Sequence, residues 1–263
     1  IKDIMLKKRL IFSLIYCDGF FMQSRNFRLQ KVGDINWLLK NYRFQETSFS
    51  IDELIILDAS RKNKLTTNFL RVIEKLAQGC FIPISVGGGI KSINNCRKLF
   101  DHGADKIVLN SLLTDNPDVS KKIIYYFGGQ SVISSIDVKK EKSDYIPYKC
   151  NGSEKIDMQM LKYMNFVIQL GVGEIFLNSI DRDGTGFGFD LDLLKAIDEK
   201  INIPLIVGGG AGKYEHFIDC FKFQNVEAAS TANLFNFIGD GLALTREKII
   251  ENKIDIPIWG VNY

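Results

Sequence analysis

Short runs of aliphatic and β-branched residues alternate along this chain with longer segments whose apolar positions recur at helical spacing. The strand-like runs are Arg9–Tyr16 (RLIFSLIY), Glu53–Asp58 (ELIILD), the stretch from Ile82 into Gly87, and Lys106–Asn110 (KIVLN). Val132–Asp137 (VISSID), Glu174–Ser179 (EIFLNS), the stretch from Ile203 into Gly208, and Glu227–Thr231 complete the set. Several are apolar almost throughout, as strands buried on both faces are. Helical patterns fall between them: Asp34 to about Arg43, Asn68–Gln78, Asn94–His102, Pro117 to about Phe127, Asp157–Leu170, Asp190–Lys200, a segment from about Tyr214, and Leu242–Asn252. Asn116-Pro117 sets a capping side chain before a proline at the first helical position. The aromatic stretch Phe20–Phe27 reads as a long irregular loop, and the polar segment Lys139–Lys155 as a hairpin. Eight strands alternating with eight helices over about 250 residues predict a (β/α)8 TIM barrel. A doubly wound open sheet is the alternative, but it does not account for a repeat within the chain.

That repeat is visible in the glycines. Ile82-Pro83-Ile84-Ser85-Val86-Gly87-Gly88-Gly89 returns as Ile203-Pro204-Leu205-Ile206-Val207-Gly208-Gly209-Gly210, an offset of 121 residues. Glu53 and Glu174 stand at the same offset, so the expected barrel is a duplicated half-barrel. Each glycine turn lies between a strand and a helix start, where bare backbone and free N–H groups suit an anion. A tight βα connection with no ligand is the other use of such a turn, and the pairing favours two phosphate cradles.

Composition changes the picture only by exclusion. Apolar residues make up 46% of 263, enough for one large core, and no composition shift marks a second domain, so residues 1–263 read as a single barrel. A net charge of +3, spread along the chain, leaves no footprint for a nucleic acid. Five cysteines, odd in number and far apart, lack metal-ligand spacing and fit reduced thiols in a cytoplasmic protein. No apolar run reaches membrane-spanning length. Met5 is the expected natural start, with the four residues before it of other origin.

Chemistry in such a barrel belongs at the C-terminal ends of the strands. Asp137 closes an otherwise apolar strand, where burial can raise its pKa for proton transfer; capping the next loop is its plainer role. Asp181-Arg182-Asp183-Gly184-Thr185 is a dense polar turn able to meet a phosphate. His102 and His216 fall in helices and read as surface packing. No metal or cofactor is expected.

Several motifs resemble one family over nearly the whole chain: Glu53–Asp58, Val86–Ile90, Asp105–Ser111, Ile136-Asp137, Gly173–Ile175, Ser179–Thr185 and Gly209–Gly212. They are similar to the cyclase subunit of imidazole glycerol phosphate synthase, a half-barrel duplication. The resemblance implies an ammonia-using, lyase-type synthase subunit that receives ammonia through the barrel from a docked glutaminase, in an expected heterodimer. It implies one substrate phosphate against Gly89, Asn110 and Ser111, and another against Asp183, Gly184, Gly210, Ala232 and Asn233. It places a charged ammonia gate at Arg9, Glu53, Lys106 and Glu174, where a purely stabilising ionic layer is the alternative.

The sequence departs from the family where it uses a pair of catalytic aspartates. Asp137 fills one place, but the other, 122 residues earlier, is Ile15, and Gln23 replaces a substrate-binding lysine. The pattern, with the terminal Val261-Asn262-Tyr263, resembles a divergent branch associated with surface-polysaccharide genes. That branch implies amidination of an acetamido sugar with a separate sugar amidotransferase, on a phosphorylated or nucleotide-sugar substrate. Histidine-pathway cyclisation and a non-catalytic, glutaminase-activating scaffold are the two alternatives.

Overall fold

The computed structural model describes residues 7–42, 49–197 and 201–258. The expectations for residues 1–4 and for Val261–Tyr263 lie outside them, as do the C-terminal ends expected for the first and sixth helices. Twelve strands are described: β1 (Arg9–Cys17), β2 (Phe20–Arg25), β3 (Arg28–Gly33), β4 (Glu53–Asp58), β5 (Ile84–Gly87) and β6 (Lys106–Leu109). Then come β7 (Val132–Glu141), β8 (Asp144–Lys149), β9 (Glu154–Lys155), β10 (Glu174–Ser179), β11 (Leu205–Gly208) and β12 (Val226–Thr231). Strands β1, β4, β5, β6, β7, β10, β11 and β12 pair in parallel in that order. β12 returns to β1 and closes the ring. This is the expected (β/α)8 barrel, with helices packed around it.

Alternate side chains of each strand sort into two cores. Ile11, Ile55, Val108, Ile133, Phe176, Ile206 and Ala228 fill the barrel interior. Leu10, Phe12, Leu54, Ile56, Ile107, Ile175 and Leu177 face the helices, where they meet Phe69, Ile73, Leu99, Ile123, Val167 and Phe217. Burial on both faces explains why the strands read as continuous apolar runs rather than alternating ones.

The duplication is carried into the register of the sheet. Ile11 stands opposite Glu53 and Ile15 opposite Leu57, while Ile133 stands opposite Glu174 and Asp137 opposite Asn178. Equivalent rows of the two halves therefore face one another across the barrel.

Helix ends follow local chemistry. The Asn116 side chain accepts from Val119 N, with Pro117 at the first position of the helix Pro117–Phe127 and Gly128 at φ 85° closing it. Ser92 and Thr66 cap the helices Ile93–Asp101 and Thr67–Gly79 in the same way. Two features differ from expectation. A short helix, Ser111–Asp115, precedes Pro117. Phe20–Phe27 is no irregular loop, since β2 and β3 form an antiparallel hairpin on the end of β1. The 139–155 segment is a hairpin, as expected, in which β7 continues past the barrel rim to pair with β8.

At the opposite end, the C-terminal helix Gly241–Glu251 is tied beneath the sheet. Arg246 donates to both carboxylate oxygens of Asp52 at 2.9 and 3.0 Å, and Asp52 in turn accepts from Leu10 N. Among the described residues, no helix is long and apolar enough to cross a membrane.

Candidate functional site

Asp137 lies at the mouth of the barrel, on the inward face of β7 two residues beyond Ser135, and is only 8% exposed. Asn110 Nδ2 donates to its Oδ2 at 3.1 Å and to Ser135 O at 3.0 Å. The Asn178 side chain, level with Asp137 on β10, also hydrogen-bonds it. Burial dominates its acidity and, with the nearby Asp183 charge, outweighs the two amide hydrogen bonds, so its pKa is pushed up to about 7. A carboxyl group half protonated near neutral pH can both give and take a proton.

The second-half residues come together in one recess, lined by Asp183, Gly184, Gly210, Ala232 and Asn233 along with Ile15 and Gln23. Gly209 and Gly210 have φ of 86° and 106°, backbone that favours glycine. A Cβ on Gly210 would lie 2.1 Å from Gly188 O, and Gly188 N donates to Gly210 O. The turn therefore needs glycine for chain contact as well as for any ligand. Gly210→Ala is expected to push the 184–188 turn outward, cost about 1–3 kcal/mol and weaken phosphate binding. Thermal denaturation alongside phosphate titration measures both. Gly79→Ala, where nothing lies within 4 Å of the new Cβ, serves as the control.

Three polar residues of the recess have structural work to do. Ser24 Oγ and Phe27 N donate to Asp183 Oδ2 at 2.5 and 2.9 Å, which clamps the β2–β3 hairpin over the rim. Burial raises the pKa of Asp183, with those two hydrogen bonds working against it. Asn233 Oδ1 accepts from Phe235 N and Asn236 N and shapes the turn after β12. Gln23 Oε1 accepts from Leu234 N, tying the same hairpin to that turn. Gln23 thus acts as a brace, a role its position in the sequence did not suggest.

The first-half residues are arranged differently. Asn110 is committed to Asp137, and Ser111 Oγ donates to Asn110 Oδ1 and accepts from Cys150 N. A Cβ on Gly89 would meet the Lys64 side chain at 2.4 Å. The hairpin after β7 and Lys64 therefore crowd this place, which the recess of the second half does not reach.

At the far end of the barrel, Arg9, Glu53, Lys106 and Glu174 form a closed ring of four ion pairs. Arg9 meets Glu53 at 2.9 Å and Glu174 at 2.7 Å, while Lys106 meets them at 3.3 and 2.8 Å. Ser85 Oγ adds a hydrogen bond to Glu53. Burial works against the charge on Glu174, but Arg9 and Lys106 prevail and hold its carboxyl below the usual range. Each ring residue begins a strand or stands near its start, so alternation brings all four inward.

His102 Nδ1 bonds Lys98 O at a helix end. His216 lies closer to the rim than its helix implied, accepting from Gly212 N and packing beside Gly188. Neither approaches Asp137 as a partner in catalysis. Among the described residues, no group of His, Cys, Asp and Glu could hold a metal ion.

A closed eight-stranded parallel barrel ringed by helices defines a (β/α)8 barrel, and a buried carboxyl group stands at its C-terminal mouth. The family described as histidine biosynthesis protein matches residues 23–238, and the chain belongs to it. A relative from Parasynechococcus marenigrum is 45% identical over 244 residues, covering 93% of this chain and 91% of its own. That relative is provisionally named imidazole glycerol phosphate synthase subunit hisF2. The imidazole glycerol phosphate synthase subunit HisF of Pelodictyon phaeoclathratiforme is 35% identical, covering 97% of this chain and all of its own. The subunit of the same name from Streptococcus mutans is 36% identical and covers 96% and 100%.

Proposed function

We propose that this chain is the synthase subunit of a glutamine-dependent amidotransferase complex of the imidazole glycerol phosphate synthase type. A phosphorylated acceptor lies across the barrel mouth, one phosphate against Gly184, Gly210, Ala232 and Asn233, the other near Gly89, Asn110 and Ser111. Ammonia from a docked glutaminase reaches the acceptor through the barrel, and Asp137 moves the protons. Asp183 holds the hairpin that covers the recess. The observation that carries this reading is Asp137, buried at the mouth with its pKa near 7. Proton transfer, which a scaffold that only activates its partner does not perform, is the use such a group suits.

The names of the relatives favour the histidine pathway over sugar amidination. Nothing in the comparisons supports a separate sugar amidotransferase or a nucleotide-sugar substrate. A second reading, an acceptor other than the histidine-pathway one, is favoured by Ile15, which lines the recess where the family resemblance implies a carboxylate. The deciding experiment supplies the chain with ammonium salt and the histidine-pathway substrate and follows substrate loss. Slow, Asp137-dependent loss is expected; none at all leaves the second reading.

The ionic ring makes a separate prediction about the partner. A glutaminase subunit is expected to bind at micromolar concentration on the face holding Arg9, Glu53, Lys106 and Glu174. Lys106→Ala leaves Arg9 to neutralise both glutamates and should keep the barrel folded, because Arg9 still bridges them. It is expected to let glutamine hydrolysis run ahead of ammonia use. An unchanged ratio of the two, with only a lower melting temperature, assigns the ring to stability alone.

A further inference from the structure

The mouth of the barrel is divided chemically, and the division follows the sheet register. On one side Asp137 stands level with Asn178, and Asn110 donates to Asp137. On the other, Ile15 stands level with Leu57 on β4 and with Met22 on β2. The Ile15–Leu57 and Asp137–Asn178 rows are counterparts in the two half-barrels, so two apolar side chains occupy the place where the other half is polar. Ile15, Leu57 and Phe176 form the apolar part of the recess that Gly210 and Asn233 line, to which Asn178 and Thr231 add polar groups. Ile15 and Leu57 are each partly exposed, although the strand positions next to them are buried. Apolar surface left open inside a recess gains by being covered, and the covering group must itself be apolar.

We propose that the recess selects phosphate monoesters whose carbon skeleton is apolar next to the phosphate. The phosphate lies at the Gly210 and Asn233 side, and the adjoining carbons lie on Ile15, Leu57 and Phe176. This rests on the phosphate-binding part of the reading above, joins its second reading of an acceptor other than the histidine-pathway one, and adds the class of group the phosphate carries. Ile15 is then a specificity residue, set by the register to meet the ligand's carbon atoms rather than its polar ones.

The test compares inorganic phosphate, n-propyl phosphate and glycerol 1-phosphate by isothermal titration against the whole chain. The two esters share a three-carbon skeleton and differ by two hydroxyl groups. The n-propyl ester is expected to bind about 5–10-fold more tightly than the glycerol ester. In Ile15→Thr that preference is expected to fall below about twofold, while the affinity for inorganic phosphate changes by less than about threefold. Equal binding of the two esters by the wild type, or a preference for the glycerol ester, overturns the proposal and leaves the phosphate site standing. If neither ester nor inorganic phosphate binds at roughly 10 mM, the phosphate site falls and the proposal with it.

Discussion

Asp137→Asn is expected to lower ammonia-dependent turnover by about 10²–10⁴-fold while leaving the barrel folded, and at pH 8 more resistant to heat. The loss follows from removing a group able to transfer protons, worth about 3–5 kcal/mol of barrier. The gain follows from the environment of the carboxyl group. In the folded chain its pKa is about 7 instead of the ordinary 3.8, because burial disfavours the charge. The folded state therefore holds a proton that the unfolded chain gives up, and stability drains away as pH rises from about 4 to about 7. Asparagine resembles the protonated acid and suffers no such loss. The difference at pH 8 has an upper bound of roughly 4 kcal/mol. It will be smaller in practice, because Asn110 and Asn178 both hydrogen-bond Asp137 and the new amide offers one acceptor oxygen in place of two. Melting curves of both proteins at pH 5 and pH 8 decide this. A variant less stable than wild type at both pH values means that Asp137 is a structural anchor held by its hydrogen bonds. If Asp137 works as a base, the wild-type rate rises with pH through about 7.

How much of this was legible in the sequence depended on how local the cause was. Glu53–Asp58 and Glu174–Ser179 were read to the residue because each opens on a glutamate, runs through three or four apolar residues and ends on polar ones. Asn116-Pro117 fixed a helix start because both capping contacts lie within three residues. The β2–β3 hairpin escaped for a matching reason. Its two-residue turn uses Asn26 and Phe27, both at positive φ. Asparagine is an ordinary choice there, but phenylalanine signals no turn, so the segment resembled an aromatic flap. Phe27 N donates to Asp183, 156 residues away, so tertiary contact accompanies a conformation the local sequence does not favour.

The site shows the same limit. Asp137 was visible as an acid ending an apolar strand, but its amide partners come from β10 and from the end of β6. Asp183 and Gly184 read as phosphate contacts by family resemblance and by the polar turn they share. In the fold, the Asp183 carboxylate clamps Ser24 and Phe27, and a Cβ on Gly184 would lie 1.9 Å from Ser24 O. No spacing rule could have indicated a hairpin pressing on that turn. The ionic ring was implied by resemblance and by four charged residues at or near strand starts. Its closure into four ion pairs is a consequence of barrel geometry.

Ile15 sets the second large expectation. The family resemblance implies two carboxylates moving protons at two points of the substrate, and the register puts Ile15 at the place of the missing one. With Asp137 alone, turnover of the histidine-pathway substrate is expected to be about 10²–10⁴-fold below that of a relative carrying both acids. Ile15→Asp is expected to recover part of that loss, by tenfold or more if the acceptor fits. The substitution also exchanges the Ile15–Leu57 contact for a carboxylate beside Leu57 and Phe176, which disfavours its ionised form. Its own pKa should therefore stand above the ordinary value, and any recovered activity should grow as pH rises past that value. Steady-state rates with ammonium salt across pH 6–9, for the wild type and Ile15→Asp, give the answer. Wild-type turnover near one per second means that one carboxyl group suffices. A variant that binds phosphate normally yet gains nothing means that the acceptor is not the histidine-pathway compound, since the acid would then face the wrong atoms.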